Sequence, residues 1–212
     1  MVKQQNLAIV LLLNVFVVAT CGLVYELVAG ALASYLLGDS ITQFSTVIGV
    51  YLFSMGIGSY LSGFFTNNLL AWFVKIELLI GIVGGFSAAL LFFVFNYIEA
   101  FRVILYGLVM VTGILVGLEI PLLMRILKNR YQFKDLVARV FTFDYVGALF
   151  ASLLFPLWLV PHLGLMKTSL LFGVLNTVVG IWVLFLLSDE IPWSKSLKII
   201  AFSCLGALLL GS

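Results

Sequence analysis

Six stretches of this sequence run nearly free of charge at 7–37, 41–65, 69–95, 103–127, 140–160 and 165–187. A membrane-crossing helix needs roughly 20 such residues, and each run reaches that length. A shorter seventh run occupies 197–212. In lipid every backbone N–H and C=O must be satisfied within the protein, which leaves helices or closed barrels. Barrel strands would alternate over segments of about ten residues, and no such pattern is visible. The fold class is therefore all-α: an integral membrane bundle of about seven helices. Composition agrees, since 64% of the 212 residues are hydrophobic and 9% charged, against about 45–50% and about 25% in ordinary globular chains. A water-soluble enzyme, a nucleic-acid module and a disordered chain are all excluded, and the lipid bilayer is the first partner.

The lysines and arginines set the expected direction. The segment 125–139 carries Arg125, Lys128, Arg130, Lys134 and Arg139, and basic loops stay cytoplasmic. Placing it inside also puts Lys3, Lys195 and Lys198 inside and leaves Arg102 and Lys167 opposite. The amino terminus is thus expected in the cytoplasm. Lys75 lies near the inner end of its run and can snorkel inward. The apolar residues of 125–139 suit either a short helix on the inner leaflet or a solvated basic loop. The first run, longer than a crossing requires, must tilt, kink at Gly22 or Gly30, or emerge into the interface. Its length and the lack of an Ala-x-Ala site argue against a cleaved signal peptide. The last run ends without a charged or aromatic anchor, so the chain reads as a piece of a longer protein.

Small residues recur at helical spacing. Gly49, Gly56 and Gly63 fall on one face with Ser45, and Gly113 and Gly117 form a Gly-xxx-Gly pair. Such stripes let helix backbones approach closely in lipid, so these glycines are expected to pack helices. Cys21 and Cys204 both lie in apolar runs and read as small core residues rather than a disulfide.

Acidic residues carry more information. Glu26, Glu77, Glu119 and Asp144 lie within or near apolar runs, where a bare carboxylate is costly and usually faces the bundle interior. Glu77 is read first as a paired charge fixing helix registry, with Lys75 close by. For Glu26, Glu119 and Asp144 two readings stand side by side. They are registry charges paired with Arg125, Arg139 or a tyrosine, or they converge on an organic cation or a proton. Tyr25 and Tyr145, each adjacent to an acid, could add cation–π contacts. Pro121 removes a backbone N–H and weakens the helix after Glu119. His162 reads as an exposed turn residue, and a metal site lacks further histidines or paired cysteines. Neither Gly-x-Ser-x-Gly nor a phosphate loop is present, so no catalytic residue, metal or cofactor is assigned to this chain. A faint internal echo joins Gly30-Ala-Leu-Ala-Ser-Tyr-Leu-Leu to Gly147-Ala-Leu-Phe-Ala-Ser-Leu-Leu, and transporters are often built from repeats.

Several segments in order resemble the membrane domain of multi-pass spermidine synthase-like proteins, the polyamine aminopropyltransferase family. They are Cys21-Gly-Leu-Val-Tyr-Glu26, the stretch from Leu37-Gly-Asp-Ser to Met55-Gly-Ile-Gly-Ser59, Val116-Gly-Leu-Glu-Ile-Pro-Leu-Leu-Met-Arg125, and Phe143-Asp-Tyr-Val-Gly-Ala-Leu-Phe-Ala-Ser-Leu-Leu-Phe-Pro156. The resemblance covers nearly the whole chain. It implies a bundle of seven or eight helices, faintly like half of a major-facilitator transporter, ahead of a cytoplasmic Rossmann-like domain. That domain would move an aminopropyl group from decarboxylated S-adenosylmethionine to putrescine. Its glycine-rich nucleotide loop is absent here, so the synthase domain is expected after residue 212.

Three functions follow as expectations. The chain anchors a synthase at the bacterial inner membrane and binds or passes polyamines such as putrescine and spermidine through Glu26, Glu119, Asp144, Tyr25 and Tyr145. Alternatively it is a stand-alone secondary transporter of an organic cation, acting as a homo-oligomer, or a structural anchor only. Nucleic acid is not an expected partner.

Overall fold

Long aliphatic runs whose only interior prolines are Pro121 and Pro156 should be helical, and the computed structural model, which describes residues 2–95, 101–128, 132–191 and 193–211, consists over those residues of helices joined by short turns. The helices are α1 (Val2–Leu37), α2 (Ser40–Leu61, extended by a 3₁₀ turn at Ser62–Phe64), α3 (Leu69–Phe95), α4 (Phe101–Leu127), α5 (Phe133–Leu154), α6 (Val160–Leu186) and α7 (Ser194–Gly211). Among the described residues, six helical stretches are long and apolar enough to cross a membrane. α1 is continuously helical through Gly22 and Gly30, the two positions at which a kink was one of the expectations.

The turn from α1 to α2 is built by two consecutive residues of positive φ, Gly38 at 72° and Asp39 at 47°. The Asp39 carboxylate then caps α2 by accepting from the Thr42 N–H at 3.4 Å, satisfying an amide that the helix itself leaves free.

Three boundaries differ from expectation. The basic segment 125–139 is not a separate surface helix, because 133–139 already forms the start of α5; Arg130 and Tyr131 within that segment lie outside the described residues. The expected outer turn at Pro161-His162 is helical. A π-turn at Phe155–Leu159 joins α5 to α6, and His162 Nδ1 lies 2.9 Å from the Trp158 carbonyl with its ring stacked on Trp158. The break comes at Gly164, with φ 71° and ψ 177°, a region essentially closed to side chains. The 54-residue helical stretch Phe133–Leu186 would extend about 80 Å if straight, and Gly164 is where it leaves helical geometry. Finally, the last run forms an 18-residue helix about 27 Å long, longer than anticipated; Ser212 lies outside the described residues.

Helices pack chiefly as α2 on α4, α3 on α6 and α1 on α5. Gly113 and Gly117 hold the first of these contacts: a methyl at Gly113 would sit 2.8 Å from Ser54 Cβ, and one at Gly117 2.6 Å from Met55 Cα. Gly49, Gly56 and Gly63 do not pack; each faces open space. The buried side of α2 carries Val47, Tyr51, Ser54 and Gly58, so Gly58 is the glycine that meets α4, against Ile114 and Gly117. Gly81, Gly85 and Gly173 bring α3 and α6 together, with a methyl at Gly173 only 2.7 Å from Gly85 Cα.

Candidate functional site

A cavity of about 200 Å³ lies among α1, α2, α4 and α5. Glu26 of α1, Glu119 of α4, and Asp144 and Tyr145 of α5 all line it, so the structure brings together four of the five residues expected to form a cation site. The spacing explains why. Glu26 shares a face with Gly22 one turn earlier, and Gly22 lets α1 come close to Val116 of α4. Glu119 follows Val116 on the same side of α4 by the i, i+3 rule. Glu26 and Glu119 are buried, Asp144 is half-buried and Tyr145 is exposed. Exposed Leu52 of α2 and Tyr145 of α5 flank the cavity on its outer side.

Tyr25 is not part of this group. Consecutive residues of a helix are turned about 100° from each other, so Tyr25 points away from Glu26 and packs its ring against Gly84 of α3. Its hydroxyl has no hydrogen-bond partner among the described residues. Tyr51, which the sequence did not single out, walls the cavity instead and donates from its hydroxyl to the Gly22 carbonyl at 2.8 Å.

Glu119 reaches beyond the cavity. Its carboxyl lies beside that of Glu77 on α3, within reach of a hydrogen bond. A carboxylate only accepts, so a hydrogen bond between the two requires that one of them carry a proton. Asn176 of α6 donates from Nδ2 to Glu77 Oε2 at 3.0 Å. Glu77, Glu119 and Asn176 are at most 1% exposed, and neither Glu77 Oε1 nor Glu119 Oε1 receives an N–H or hydroxyl donor among the described residues.

Two of the expected cationic partners, Lys75 and Arg125, are engaged elsewhere. Lys75 Nζ lies over the rings of Trp72 and Trp193, at 4.6 and 5.8 Å from their centroids. Arg125 donates to the Ser62 carbonyl at 2.9 Å. Glu77 is therefore held by Asn176 and Glu119 rather than by Lys75. An uncharged polar residue in a run as apolar as 165–187 was the available signal for Asn176, since a buried amide needs a partner.

Comparison with known proteins adds the decisive relationship. The chain is 59% identical over 191 residues to polyamine aminopropyltransferase 2 of Ralstonia nicotianae, a match covering 89% of this chain and 38% of that protein. The chain is homologous to part of the polyamine aminopropyltransferases. The aminopropyltransferase of Leptospira interrogans is 56% identical over 172 residues, covering 81% of this chain and 34% of its own length. Polyamine aminopropyltransferase 1 of Streptomyces coelicolor is 41% identical over 173 residues, 81% of this chain and 33% of that protein. The chain thus spans little more than a third of the aminopropyltransferases it matches. No family model matches it, and no solved structure does.

Proposed function

We propose that this chain is the N-terminal membrane domain of a spermidine synthase-like protein, anchoring an aminopropyltransferase at the bacterial inner membrane and binding polyamine in the cavity between α1, α2, α4 and α5. The observation that carries the binding role is the convergence of Glu26, Glu119 and Asp144 on one cavity. Carboxylates accept strong charge-assisted hydrogen bonds from ammonium groups. The cavity is smaller than the roughly 300–1,000 Å³ typical of drug-sized sites, which suits a slender linear cation. The relatives are about three times as long as the matched region, which supports a synthase domain outside it.

The 54-residue stretch of α5 and α6 crosses twice in this reading, folding back near Gly164, for seven crossings in all. The orientation has the amino terminus inside. Its support is that Lys75 meets Trp193, two residues from Lys195, while Arg125 meets Ser62. These contacts gather basic residues at one end, and such excess marks the cytoplasmic side.

Photolabelling of the intact protein with a diazirine-bearing spermine analogue tests the binding role. Label should map to α1, α4 and α5, fall with excess spermidine, and vanish in the Glu26→Gln, Asp144→Asn double variant. Labelling elsewhere, or labelling that excess spermidine leaves unchanged, would reject the cavity as a polyamine site.

A further inference from the structure

Among the described residues, Glu77 is the one fully buried acid that lines no part of the cavity, yet it touches it through a single intermediary. Glu119 faces two ways, toward the cavity on one side and toward the Glu77 carboxyl on the other. Two carboxylates in contact within a low-dielectric interior repel strongly, and they coexist at small cost only when they share a proton. Among the described residues, the groups shown facing the pair offer no positive charge to take its place. They are Cys21, Tyr25 and Glu26 on α1, Tyr51 on α2, Asp144 on α5 and Asn176 on α6. Lys75 and Arg125 are committed to aromatic rings and to a backbone carbonyl.

The geometry points to a proton site, formed by Glu77, Glu119 and Asn176, that exchanges its proton for a cation entering the cavity. This rests on the reading of the cavity as an organic-cation site. With the cavity free of cation, one proton lies in the Glu77–Glu119 hydrogen bond. When an ammonium group docks on Glu119, its N–H donates to that carboxyl and the shared O–H bond breaks. The proton passes to water in the cavity, and the carboxyl that held it becomes ionised like its neighbour. One positive charge has entered and one has left, so the interior charge is unchanged. Glu119 is then neutralised by the bound ammonium, and Glu77 keeps the Asn176 Nδ2–H as its donor. Asn176 is a positioning residue here: it holds Glu77 at Oε2 and leaves the other oxygen for the shared proton.

Infrared difference spectroscopy of the intact protein in lipid, perfused with and without spermidine, reads the step directly. The carbonyl stretch of a neutral carboxyl should be lost when spermidine binds, with a matching release of protons detected by a pH indicator. In Glu77→Gln the photolabel should still enter the cavity, but both the band loss and its share of proton release should disappear. Asn176→Leu should shift the frequency of the band without removing it. Spermidine that enters the wild-type cavity and leaves the neutral-carboxyl band unchanged would overturn the proton site while sparing the cation site. Absence of photolabel from the wild-type cavity would overturn both. The wild-type measurement decides even where Glu77→Gln does not fold.

Discussion

The Tyr51 hydroxyl on α2 donates to the Gly22 carbonyl on α1 at 2.8 Å, tying together two walls of the cavity at the level where α1 carries no side chain. A carbonyl in mid-helix already accepts its own helical bond, so the tyrosine adds a second. Tyr51→Phe keeps the ring and removes the bond. It should destabilise the bundle by about 0.5–1.5 kcal/mol while photolabel still enters the cavity. Reversible unfolding in mixed detergent would measure the first effect. A loss well beyond that range would mean that the hydroxyl also holds a group not bonded to it here.

The glycines separate into two classes that mutation should distinguish. Gly117→Ala and Gly58→Ala push a methyl into the facing backbone of the α2–α4 contact, and overpacking of this kind costs about 1–3 kcal/mol. Gly49→Ala and Gly56→Ala meet open space and should be neutral or gain up to about 1 kcal/mol from helix propensity. The same unfolding assay compares all four. Equal losses in both classes would show that the outer face of α2 is covered in the assembled protein.

Those glycines also mark what could be read without coordinates. Helix positions were legible because length and apolarity are local properties. Which face of a helix meets which neighbour is not local. On α2 the Gly49, Gly56, Gly63 stripe and the Val47, Tyr51, Ser54, Gly58 stripe both repeat at helical spacing, and only the second is buried. Convergence of Glu26, Glu119 and Asp144 was anticipated from the cost of carboxylates in lipid, which drives each toward the interior whatever the pairing. Glu77 was matched to Lys75 because the two are neighbours in sequence. Its hydrogen-bond donor, Asn176, lies 99 residues away, and only the α3–α6 packing brings them together. Tyr25 was grouped with Glu26 for the same local reason, and the turn of the helix separates them.

Gly164 offers a test of the chain path. Its φ of 71° with ψ of 177° belongs to a region where a Cβ costs about 1–3 kcal/mol. A methyl there meets no neighbouring atom, so the cost is conformational alone. Gly164→Ala should therefore lower stability by that amount, and a D-alanine introduced at this position by semisynthesis should restore it. Failure of D-alanine to rescue would show that the position demands space rather than a backbone angle.

The carboxylates make the last prediction, and Cys21 supplies its readout. Cys21 is fully buried on α1 with a free thiol, so its reaction with an uncharged thiol reagent on heating reports opening of the membrane bundle. A ligand at 100 times its dissociation constant stabilises the state it binds by about 2.7 kcal/mol, so spermidine should delay Cys21 labelling in the wild-type protein. Glu26→Gln and Asp144→Asn each keep an acceptor oxygen and remove the charge, so each should erase that delay while leaving the spermidine-free rate near wild type. An undiminished delay in both variants would exclude these carboxylates from the site, and Glu119 with its Glu77 partner would then have to hold the cation alone.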